Sequence, residues 1–125
     1  MVVNLTAGLA ALLLVAIAVF QACLAAGAPW GAYAWGGQHP GVLPTKLRAA
    51  SGVAVVLYLA LVLVPLGAAG WIGWTPPAFL LWGLTAFFVL GALANGASRS
   101  QAERAIWTPV TVVLAGCFLV LALQG

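Results

Sequence analysis

Few residues in this chain can take part in polar chemistry, so the list of what they could do is short. His39 is the only histidine, Glu103 the only acid, and Lys46, Arg48, Arg99 and Arg104 the only bases. A histidine and a carboxylate together could pass a proton, and with a serine they could form a nucleophile. Such a set would have to be gathered from Ser51, Ser98 or Ser100 with His39 and Glu103, and nothing in their spacing favours it. Cys23 and Cys117 stand alone, and one histidine with one acid offers no metal-ligand spacing. The residues therefore imply no catalytic group, no metal and no cofactor.

The polar residues that remain fall into two groups. Trp30, Tyr33, Trp35, Gln38, His39, Lys46 and Arg48 occupy one segment, and Asn95, Arg99, Glu103 and Arg104 another. Bases beside aromatics suit a lipid head group or another anionic amphiphile, so these are the candidate ligand-binding residues. Each has a plainer reading as well. Glu103 would bridge Lys46, Arg48 or a neighbouring arginine and lock two hairpins together. His39, ahead of Pro40, would serve as a loop hydrogen-bond donor rather than a pH-sensitive imidazole. A net charge of +3 from four scattered bases gives no nucleic-acid surface.

The elements that must position these groups are membrane spans. Of 125 residues, 66% are hydrophobic and 4% charged, and the mean hydropathy is +1.21. Soluble domains carry about a quarter charged residues. The chain has room for four spans of about 20 residues. They are expected near 3–26, 45–66, 77–94 and 102–123, with connections at 27–44, 67–76 and 95–101. Span one is expected to be retained rather than cleaved, because no base precedes its apolar run and the run exceeds the usual signal core. Pro44 and Pro76-Pro77 open spans two and three, Pro65 marks the end of span two, and Asn95-Gly96 stops span three. Ser98 with Gln101, or Ser100 with Glu103, fits a capping box at the start of span four. Pro109 should bend that span and leave the Ala105 carbonyl to find another partner.

Charge sets the orientation. Lys46 and Arg48 flank the first connection and Arg99 and Arg104 the third, while the second connection and both ends of the sequence carry none. The positive-inside rule then puts connections one and three in the cytoplasm and both termini outside. Trp71, Trp74 and Trp82 fall at the outer interface and Trp30, Trp35 and Trp107 at the inner one, as aromatic belts should.

Within the spans, Ala18, Ala22 and Ala26, together with Gly83 and Gly91, form small-residue faces for close helix contact. Tyr58 lies near mid-membrane, where Thr85 or Thr111 could bond its hydroxyl. Cys23 and Cys117 differ in depth by roughly 20 Å along the helix rise, beyond disulfide reach. No span carries a charge at its centre, which weighs against a proton-coupled transporter. Leu24 to Ala28 resembles Leu93 to Ala97, and each is followed by a basic segment. This allows a repeat of two parallel hairpins about an axis along the membrane normal.

The first connection is not a plain linker. Glycines at 27, 31, 36, 37 and 41 and prolines at 29, 40 and 44 alternate with Trp30, Tyr33 and Trp35. Glycine and proline fix turns, and the aromatics are too apolar to prefer water. The segment is expected to fold back as a cap over a small cavity. Gly27-Ala28-Pro29, Ala34-Trp35-Gly36-Gly37-x-His39 and Leu43-Pro44-x-x-Leu47-Arg48, with Asn95-x-x-Ser98, Glu103-Arg104 and Thr108-Pro109, resemble a group of uncharacterised small bacterial four-span membrane proteins. The resemblance implies that architecture and a bacterial inner membrane, and no activity.

The expectation is an all-α integral membrane four-helix bundle forming a single transmembrane domain. Its expected role is a non-enzymatic binding or accessory protein with a cytoplasmic-side site for a lipid or amphiphile. The alternatives are an oligomeric transporter or channel, and a membrane enzyme using His39 and Glu103. Expected partners are membrane lipids and a homo-oligomer or larger membrane complex, with no nucleic acid.

Overall fold

The computed structural model describes residues 1–125 and is all-helical. Helix α1 spans Val2–Ala26, α2 Thr45–Ala68, α3 Ala78–Gly96 and α4 Gln101–Gln124. Their lengths are 25, 24, 19 and 24 residues. At about 1.5 Å per residue even α3 reaches roughly 28 Å, close to the thickness of a bilayer core. All four are long and apolar enough to cross a membrane, and the chain is a multi-pass membrane protein.

The helix limits follow local chemistry. Pro44 and Pro77 sit one residue ahead of α2 and α3 in extended conformation, so their missing N–H groups cost the helices nothing. Pro65 falls in the last turn of α2, which continues to Ala68. Asn95-Gly96 ends α3 without a left-handed cap: Ala97 follows in right-handed conformation, its N–H on Leu93 O. Pro109 lies inside α4. No side chain bonds the Ala105 carbonyl, and Ala105 is exposed.

The helices pair as two hairpins, α1 with α2 and α3 with α4, joined through α1 against α4. A two-fold between hairpins would demand an equivalent contact of α2 with α3, and these two helices do not pack substantially on each other. The centre is filled by Leu14, Leu114, Phe88 and Phe118, all buried, with the two phenylalanine rings stacked at 5.5 Å. Ala7 and Ala10 are the fully buried small residues of α1. Of the predicted alanine face only Ala18 is buried, whereas Ala22 and Ala26 are exposed. Gly91 meets the Thr111 methyl group across the α3–α4 contact, whereas Gly83 faces open space. Leu12, Val56, Phe79, Leu90 and Leu93 point outward, as a lipid-facing surface requires. Cys23 and Cys117 are both free.

Candidate functional site: a capped cavity

The connection from α1 to α2 is a folded cap. It begins with Gly27 in left-handed conformation, its N–H on Leu24 O and that of Ala28 on Cys23 O. This pair of bonds satisfies the last carbonyls of α1. Arg48, from the first turn of α2, donates Nε to Ala25 O at 3.1 Å. A base at the start of α2 is badly placed for that helix's dipole and well placed for the end of α1.

Two short 3-10 turns follow, Gly31–Tyr33 and Trp35–Gly37. Gly31 donates to Gly41 O at 2.8 Å, drawing the two limbs of the loop together. A Cβ at Gly31 would fall 1.8 Å from His39 O, so no other residue fits. Trp35 has φ +52°, the only positive φ outside glycine. This conformation is costly for a large side chain and persists only where surroundings enforce it. They do so here: Trp35 Nε1 donates to the fully buried Ser51 hydroxyl of α2 at 3.2 Å.

The start of α4 holds the other side of the cap. Ser100 is the N-cap and its hydroxyl accepts from Glu103 N at 3.1 Å, one arm of the predicted capping box. The reciprocal arm is different. The Ser100 N–H donates to Ser98 Oγ at 3.1 Å, a role that the Glu103 carboxylate would otherwise fill. Glu103 is thereby released to accept from the Gly36 N–H at 3.1 Å. The Ser100 hydroxyl also donates to Ala32 O, and Trp107 Nε1 donates to Tyr33 O at 2.7 Å. Ser100 at the N-cap and Glu103 and Trp107 within α4 therefore hold Ala32, Gly36 and Tyr33 of the loop.

The expected bridge from Glu103 to a base is not formed. Arg48 and Arg104 spend their guanidinium groups on main-chain carbonyls, Arg104 on Ser98 O at 2.8 Å. The physical reason is that helix and loop ends leave carbonyls without partners, and the nearest bases are taken up there.

Beneath the cap lies a cavity of about 200 Å³, the space the loop was expected to roof. Tyr33, Ala34 and Trp35 form the roof. Phe20 and Trp107, with ring centroids 4.7 Å apart, stand on one wall. The polar lining is Gln21 of α1, Tyr58 of α2, Asn95 of α3, and Glu103 and Thr111 of α4. Gln21 Oε1 is buried without a hydrogen-bond partner. Glu103 is buried at 8% exposure.

The predicted site residues therefore divide. Tyr33, Trp35, Asn95 and Glu103 line the cavity. Trp30 is exposed and stacks on Phe20 at 6.1 Å. Gln38 and Arg99 border a separate outward hollow with Gly36, Gly37 and Ser100. His39 and Lys46 are exposed, and neither lines the cavity. Arg48 and Arg104 are half-buried and hold main chain. His39 thus shares no cavity with Glu103, and no base lines it.

Gln21 and Thr111 were not among the predicted site residues. Gln21 carried a usable signal, being the one strongly polar residue inside span one. Tyr58 was expected to bond Thr85 or Thr111 and instead faces the cavity. Those threonines donate to carbonyls of their own helices, Thr85 to Leu81 O and Thr111 to Trp107 O.

A smaller pocket near the far end, lined partly by Val3, Leu81 and Leu121, is separated from this cavity by the packed layer of Leu14, Phe88 and Phe118. Comparison of the chain with protein-family models, with curated proteins and with solved structures returns no match.

Proposed function

We propose that this chain is a non-enzymatic binding or accessory protein of the bacterial inner membrane that holds the polar head of a lipid or amphiphile in the cavity beneath its loop cap. The observation that carries this reading is the buried, unpartnered Gln21 Oε1 facing an open space of about 200 Å³. Such an atom costs about 1–3 kcal/mol when left without a partner. A cavity of about 150 Å³ already accepts benzene, so a head group of similar size has room here. The aromatic wall and polar floor suit an amphiphile, apolar on one side and hydrogen-bonding on the other.

In this reading the loop cap lies on the cytoplasmic side with both termini outside, because all four bases flank the cap and the adjoining α3–α4 connection. The chain is grouped with the small four-span proteins its loop signature resembles. A transporter draws less support, since the packed layer at Phe88 and Phe118 blocks a path through one copy. An enzyme using His39 with Glu103 draws less again, since the two side chains do not share a cavity.

The test is native mass spectrometry of the protein released directly from its membrane. A retained small molecule or lipid, lost in Gln21→Phe, which fills the space, is the expected result. Bare protein in every charge state overturns the reading.

A further inference from the structure

The bases that pointed to an anionic ligand are turned away from the cavity, and the one acid is turned toward it. Glu103 is 8% exposed, forms no ion pair, and has one carboxylate oxygen on the Gly36 N–H. A buried charge without a partner is costly, and proteins place a counter-charge or a ligand beside it. No lysine or arginine lines the cavity to do so.

Acceptors dominate the remaining polar atoms. Gln21 Oε1 is a free acceptor. Asn95 has committed one amide N–H to Gly91 O, and Thr111 has committed its hydroxyl hydrogen to main-chain carbonyls. With the Glu103 carboxylate, Gln21 Oε1 and the Tyr58 hydroxyl, which accepts as well as donates, the floor is rich in acceptors and suits a hydrogen-bond donor. The walls agree with the floor. Phe20, Tyr33, Trp35 and Trp107 border the same space, and aromatic faces attract cations once water is excluded. A bare metal ion does not fit, because no cluster of three His, Cys, Asp or Glu side chains exists.

We propose that the cavity selects a primary ammonium group, held by Glu103 and Gln21 and walled by Tyr33, Trp35 and Trp107. The ammonium supplies three donors and one positive charge, matching the uncommitted acceptors and the single buried carboxylate. It comes either from a free organic amine or from the head group of an aminophospholipid. This inference rests on the binding role proposed above and names its ligand class.

The experiment uses the full chain in lipid nanodiscs and reads tryptophan fluorescence, since Trp35 and Trp107 line the site. n-Butylammonium is titrated against butan-1-ol, which has the same length and no charge, in discs of phosphatidylglycerol. Saturable binding of the ammonium, at least about tenfold tighter than the alcohol, is expected from the charge and cation–π contributions. Glu103→Gln keeps an acceptor for Gly36 and removes the charge, and should lose about tenfold or more in affinity. Gln21→Leu leaves every bond of the cap in place and should also weaken binding. Discs of phosphatidylethanolamine separate the sources: competition against n-butylammonium assigns the lipid head group, and unchanged affinity assigns a free amine. Equal affinity for the alcohol, undiminished binding by both variants, or no saturable ammonium binding in phosphatidylglycerol discs overturns the proposal. A retained molecule that carries no ammonium group in native mass spectrometry would overturn it too, while leaving the binding role standing. Bare protein there would remove the binding role itself.

Discussion

The Gly36 N–H donates to Glu103 Oε2 at 3.1 Å, across 67 positions of sequence. The bond exists because Ser98 takes over the Ser100 N–H, which a capping-box glutamate usually accepts from. One serine thus determines whether the only acid caps its own helix or holds a distant loop. Holding the loop places the carboxylate at the cavity.

Glu103→Ala should cost about 1–3 kcal/mol by leaving the Gly36 N–H without its acceptor, whereas Glu103→Gln should cost well under half of that. Unfolding in mixed detergent micelles with increasing dodecyl sulfate measures both. Equal losses for the two variants would show that the loop is held by charge rather than by this bond.

Gly31 and Gly41 form a contrast within one hydrogen-bonded pair. Gly31→Ala places a methyl group on the His39 carbonyl and should unfold the cap, with a loss of about 2 kcal/mol or more. Gly41, at φ +88° with nothing within 4 Å, should lose only about 1–2 kcal/mol as alanine, from backbone strain alone. Thermal stability of the two variants should therefore separate clearly.

The indole bonds of Trp107 and Trp35 anchor the roof to α4 and α2. Trp107→Phe frees the Tyr33 carbonyl and Trp35→Phe leaves the fully buried Ser51 hydroxyl without its donor. The second should be the more damaging, at about 1–3 kcal/mol, because Ser51 has no access to water. Adding Ser51→Ala to Trp35→Phe should recover part of the loss, and a double-mutant cycle checks this.

Hydrogen exchange distinguishes a folded cap from a linker. The amides of Gly31, Ala34, Gly36 and Gly37 all donate within the protein. They should exchange more slowly than Trp74 and Thr75, whose N–H groups have no main-chain partner in the α2–α3 connection. Equal exchange in the two connections would contradict the cap.

Gln21→Leu should raise stability by about 1 kcal/mol in ligand-free detergent, because it removes a buried acceptor that has no partner. The same change should weaken ligand retention. A variant that loses stability instead would mean that Gln21 is held by something in the protein.

The spans were legible because a bilayer demands about 20 apolar residues from any helix that crosses it, and proline and glycine mark where such helices start and stop. Glycine spacing and aromatic content also marked the first connection as a fold of its own, and the cavity beneath it was expected. Which polar groups would face that cavity was not legible. The number of bases said nothing of their direction, and the unpaired carbonyls at the end of α1 and after α3 claimed Arg48 and Arg104.

The sequence by itself determined an all-α chain of four membrane helices, the cap over residues 27–44, and the short list of polar groups. Only the tertiary structure decided that Gln21, Tyr58, Asn95 and Glu103 meet in one space while His39 and the bases lie outside it. The reason is geometric. Helix periodicity orients a side chain relative to its own axis, whereas convergence depends on how α1 and α4 pack and on where a loop pinned 67 positions away comes to rest.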